Sequence, residues 1–121
     1  MAGWQVNVLL TVDTEFWPFS SNDDPVQAFE RDVLGRTATG EFGLPFQIKL
    51  LNSYGLKAVF FVESLAASFI GLEMLARIVT MVQDLGHEVQ LHLHTEWLNW
   101  KNRHLFLADR GRFLRSFSID E

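Results

Sequence analysis

The chain of 121 residues contains no cysteine, only three prolines and a single tyrosine. Without cysteine, disulfide frameworks, thiolate zinc sites and cysteine nucleophiles are excluded together, so any metal must be held by histidine and carboxylate. Positive charge is also scarce: ten Lys plus Arg stand against fifteen Asp plus Glu, a formal net charge of −5. A phosphate backbone would find no basic stripe here, and nucleic acid is not an expected partner. No apolar stretch approaches the roughly 18 residues that a membrane span needs. The start, Met1-Ala-Gly-Trp-Gln5, lacks the basic segment and apolar run of a signal peptide. The expectation is therefore a cytoplasmic chain with no membrane partner. What is abundant is apolar material, 48% of the residues with eleven Phe and four Trp. That is enough for a buried core, and residues 1–121 read as a single domain.

Residues 6–12 (VNVLLTV) form a short apolar run with three valines, which predicts a strand buried on both faces of a parallel sheet. Asp13 and Glu15 follow directly. Residues 25–34 predict a helix, with Asp24 as N-cap, Pro25 at the first helical position and Val26, Phe29 and Val33 on one side. The long connection around it holds Phe16-Trp17-Pro18-Phe19, a candidate wall for a substrate. A helix over 44–54 follows from Leu44, Ile48 and Leu51 with a stop at Gly55. Ala58-Val-Phe-Phe-Val62 reads as a second buried strand, residues 72–85 as a helix ending at Gly86, and residues 88–94 as a third strand. Strict alternation along that last strand sends Val89, Leu91 and Leu93 one way and Glu88, Gln90, His92 and His94 the other. Strand, helix, strand, helix, strand with short joints predicts an α/β fold of parallel βαβ units, whose functional groups gather beyond the C-terminal strand ends. The final Ser118-Ile-Asp-Glu121 has the spacing of a helix capping box, so a further element is expected to begin there.

Asp13, Glu15, Glu63, His92 and His94 all fall at strand ends. Two imidazoles on one strand face, with a carboxylate from the first strand, can bring a cation, an activated water and a proton acceptor together. Glu96, four residues beyond His92, is a rival ligand. Glu63 can either contact the site or cap the turn that follows it. His87, beside the helix stop at Gly86, reads as structural, and His104, among Lys101, Arg103 and Arg110, reads as surface. Trp97 and Trp100 can stack on a sugar ring or pack in the core. A phospho-acceptor signalling domain of similar length is disfavoured, because the third strand leads into His92 and His94 where such a domain needs an Asp.

Thr11-Val-Asp-Thr-Glu15, Ala58-Val-Phe-Phe-Val-Glu63 and Gly86-His-Glu-Val-Gln-Leu-His-Leu-His-Thr-Glu-Trp97 together resemble the polysaccharide deacetylase family, the NodB-homology domain, in order and spacing. The resemblance spans nearly the whole chain but only the first part of that family's domain. It implies the opening of a distorted (β/α) barrel, incomplete in this chain. It also implies a metal-dependent hydrolase acting on an acetylated carbohydrate or a small amide. Its first motif, of Thr-Phe-Asp-Asp type, implies Asp13 as general base. The position of its second Asp, a metal ligand, is Thr14 here, which makes Glu15 the candidate carboxylate ligand, although Asp13 can itself bind the metal. The family's His-Ser/Thr-x-x-His motif matches at His92, whereas Glu96 stands at the second histidine. Either His94 or Glu96 then replaces it, and the shared strand face favours His94. The implied cofactor is a divalent metal, with zinc the first-row preference. The family's general acid comes from later motifs, so the chain on its own is expected to have little activity. The alternative is a non-catalytic metal- or carbohydrate-binding module or assembly part. An open sheet edge that leaves Phe60, Phe61, Val89 or Leu91 uncovered would favour a homo-oligomer.

Overall fold

The computed structural model of the chain describes residues 4–17 and 23–97. Pro18 and Phe19 of the aromatic segment, Trp100, His104 and the Ser118–Glu121 motif lie outside the described residues. The elements follow in the order β1 (Leu10–Thr14), α1 (Pro25–Ala28) continuing into a π-helical turn (Phe29–Val33), β2 (Arg36–Thr37), β3 (Gly40–Glu41), α2 (Leu44–Ser53), β4 (Ala58–Glu63), α3 (Ala67–Asp84) and β5 (Glu88–His92). Three strands form a parallel sheet in the order β1-β4-β5, and β2 pairs with β3 as a small antiparallel ribbon. This is the α/β arrangement of βαβ units that the alternating pattern predicts.

Local chemistry accounts for the boundaries. The Asp24 carboxylate accepts from the Val26 N–H at 2.7 Å and Pro25 opens α1, so the first orphan amides are satisfied or absent. α3 starts earlier than the expected residue 72, because a first turn from Ala67 precedes Gly71. That glycine breaks the helix with φ 82°, in the left-handed region that side chains with a Cβ avoid. The excursion between β1 and β4 is closed where Gly43 meets the end of the π-helical turn. Its N–H bonds to the Leu34 carbonyl at 3.0 Å, and a Cβ on Gly35 would stand 2.3 Å from the Gly43 nitrogen.

Two strand limits differ from expectation for one reason. Residues 6–9 are apolar, yet Val6 and Val8 are each 81% exposed and β1 starts only at Leu10, where Ala58 of β4 lies opposite. At the other end β5 stops at His92, opposite Glu63, the last residue of β4. An apolar run becomes a strand only where a neighbour offers its ladder.

Among the described residues the sheet is covered on one face, not both. Ala58, Phe60 and Val62 join Ile48 of α2, Ile78 and Val82 of α3, and Phe29 and Val33 in one core, with Leu10, Val12 and Val89 packed against it. Burying each such large side chain contributes about 1.5–3 kcal/mol. On the opposite face Thr11, Asp13, Glu88 and Gln90 are exposed, while Val59 and Phe61 are half-buried. Of the residues expected to lack cover, Phe60 is fully buried because it faces the helices, whereas Leu91 at the sheet edge is 64% exposed. No described helix is long and apolar enough to cross a membrane.

His87 has the structural role read from the sequence. It is buried, its Nδ1 accepts the Ala58 N–H at 3.2 Å, and its ring meets Phe60 edge to face. Burial, reinforced by the Lys57 charge, pushes its pKa below the ordinary 6.5. Below about pH 6.5 the unfolded chain takes up a proton that the folded chain refuses. His87 therefore makes stability fall as pH drops from 6.5 to its lower folded value. Urea midpoints measured between pH 7.5 and 5 should decline more steeply for the wild type than for His87→Asn, which keeps an acceptor near Ala58 but does not titrate.

Candidate metal centre

Because β1, β4 and β5 run parallel and in register, their C-terminal ends meet at one edge of the sheet. Thr14 stands opposite Val62, and Glu63 opposite His92. Alternation then sorts the side chains. Thr11 and Asp13 lie on the open face with Val59, Phe61, Glu88, Gln90 and His92, and Glu15 continues that series. Thr14 falls on the helix-covered side, and its hydroxyl is buried without a hydrogen-bond partner. Alternation thus presents the carboxylate of position 15, and not the hydroxyl of position 14, to the open face.

The structure brings Glu15, His92 and His94 together, with one potential ligand atom from each lying within 4.8 Å of the others, and this group can hold a metal ion. The His92 Nε2 stands 3.6 Å from Glu15 Oε2, and the His94 Nδ1 stands 3.2 Å from the same oxygen. The two imidazole rings lie 4.7 Å apart, centre to centre. Asp13 lies on the same face of β1 but outside this group, as does Glu96 beyond β5. His94 joins the group from beyond the end of the ladder, which stops at His92 and not at the expected residue 94.

The donor set fits a divalent cation. Two imidazoles and one carboxylate leave a fourth tetrahedral position free for water. Among the described residues the Nε2 of His92 is buried without a hydrogen-bond partner, a condition that a cation would relieve. The three side chains retain between 22% and 35% exposure.

Glu63 carries more of this site than sequence reasoning gave it. Its Oε1 accepts the Leu65 N–H at 2.9 Å, which is the turn cap expected of it. Its Oε2 accepts the His94 backbone N–H at 2.6 Å and lies 2.8 Å from the His94 Nδ1. The sequence signal for this was a carboxylate directly following a buried apolar strand. Aromatic rings complete the surroundings. Trp97 is buried against Phe16, Trp17 and Phe69, so it packs in the core and is not a free platform. Half-buried Trp17 is stacked on Trp97 and edge-on to His94 at 5.2 Å.

Comparison with known proteins brings no match: no family model fits the chain, and neither a curated protein nor a solved structure matches it. The geometry alone therefore carries the next expectation. Titrating zinc into metal-stripped protein by calorimetry should give one site per chain. That event should vanish in His92→Ala and in Glu15→Ala, and persist in Asp13→Asn.

Proposed function

We propose that the chain is the metal-holding part of a hydrolase that removes acetyl groups, or cleaves a related C–N bond, on a carbohydrate-type substrate. The single observation that carries this reading is the convergence of Glu15, His92 and His94 at the C-terminal edge of a parallel sheet, with Asp13 on the same face of β1. A His₂-carboxylate set with an open position is the type used for catalytic zinc, not for closed structural sites. A divalent cation bound there supplies Lewis-acid polarisation of a carbonyl and lowers the pKa of water. Glu15, His92 and His94 hold it. Asp13, two residues before Glu15 on the open face, takes the proton from the attacking water. Trp17 gives the site an apolar side against which a sugar ring can pack.

The same reading places the three strands as the opening of a (β/α) barrel. Consecutive parallel strands with all their cover on one face, and polar Thr11, Asp13, Glu88 and Gln90 on the other, suit the wall of such a barrel with its inner face open. Zinc is the expected ion for two imidazoles and a carboxylate.

Leaving groups differ in what they demand. An amine must be protonated as it departs, and apart from Asp13, which takes the water's proton, no further proton donor is among the described residues assembled at the cluster. A nitrophenolate departs without one. The zinc-loaded chain should therefore hydrolyse 4-nitrophenyl acetate far faster than N-acetylglucosamine oligomers. Asp13→Asn should lower the ester rate by about 10²–10⁴-fold without weakening zinc binding. Stoichiometric zinc binding with no ester turnover would instead assign the cluster to a non-catalytic, assembly-type role.

A further inference from the structure

Glu63 is 1% exposed and is the most buried charged side chain among the described residues. It sits one strand away from Glu15, yet it does not belong to the group of potential ligands. Its oxygens are already committed. Oε1 receives the Leu65 N–H, and Oε2 receives the His94 backbone N–H while facing the His94 Nδ1 at 2.8 Å. A carboxylate in this state offers only lone pairs, so an imidazole nitrogen held against it must carry the ring's proton. With the proton on Nδ1, a neutral ring has its lone pair on Nε2.

We propose that Glu63 is a positioning residue: it fixes the backbone and ring of His94 and keeps the proton on Nδ1, so that Nε2 is the nitrogen with a lone pair to offer. The inference deepens the metal-site reading and rests on it. Among the described residues the His92 ring has no such anchor, and its Nε2 is buried without a hydrogen-bond partner. Of the two histidines, His94 is thus pre-set by the protein, and the cation completes the arrangement of His92. A carboxylate behind a ligating imidazole orients the ring and raises its basicity, and losing such a partner weakens metal binding by about 10–100-fold.

The test has two arms, both on the full chain. In the metal-free protein at pH 8.5, long-range ¹H–¹⁵N correlation of the histidine rings should show His94 as the Nδ1–H tautomer in the wild type. Glu63→Gln should shift it toward the other form. In the second arm, zinc affinities are measured for Glu63→Gln, His94→Ala and the double variant. Glu63→Gln should weaken binding by about 10–100-fold alone and add nothing once His94 is gone. An Nε2–H tautomer in the wild type, or equal effects of Glu63→Gln with and without His94, overturns the inference. If the wild type shows Nδ1–H but takes up no zinc, the metal reading fails while the role of Glu63 toward His94 stands. Should Glu63→Gln not fold, the wild-type tautomer decides.

Discussion

The arrangement at the sheet edge depends on one interaction, the hold of the Glu63 carboxylate on the first residues past β5. The parallel ladder ends where Glu63 faces His92, and the Ser64 N–H still reaches the His92 carbonyl at 3.2 Å. Beyond that point a strand would have to give its amides to another backbone. Instead the His94 N–H goes to the Glu63 side chain, so one carboxylate ends the strand and places the second imidazole. Removing an ion from water costs several kcal/mol, and this one is tolerated because hydrogen bonds from two backbone amides and an imidazole contact surround it. Charge-assisted bonds of this kind are about twice as strong as neutral ones.

The second constraint is the pleat. Because successive side chains alternate, a sheet covered on one face must spend its apolar residues there and is free to be polar on the other. Leu10, Val12, Phe60, Val62 and Val89 occupy the covered face, while Asp13, Gln90 and His92 occupy the open one. That division decides which carboxylates can reach the histidines. Position 14 belongs to the covered face and position 15 to the open one, so Glu15, and not its neighbour, stands within 3.6 Å of both rings.

Much of this was legible before any coordinates. The Asp24-Pro25 start of α1, the Gly55 and Gly86 stops and the apolar strand at 58–62 follow from chemistry contained in a few consecutive residues. The alternation that puts Glu88, Gln90 and His92 on one face follows from counting by two. What escaped was set by partners distant in sequence. The apolar run at 6–9 has no strand beside it among the described residues, and nothing within the run says so. Burial of Trp97 depends on Phe16, Trp17 and Phe69, and the double role of Glu63 depends on a residue 31 positions away. Local pattern identifies the ligand types, whereas pairing determines which of them meet.

A cluster of acids and histidines can be a simple ion-pair network, and the distances bear on the choice. A network serving stability would close its polar atoms onto one another, since an unmade bond to a buried nitrogen costs about 1–3 kcal/mol. Here the Glu15 oxygen stands 3.6 Å from His92 Nε2, beyond hydrogen-bonding range, and that nitrogen has no hydrogen-bond partner. His94, by contrast, is bonded twice to Glu63. One imidazole anchored by Glu63, another with an unmet nitrogen, and the Glu15 carboxylate within 3.6 Å of both is an arrangement that can hold a cation. That asymmetry favours a binding site over a structural ion-pair network.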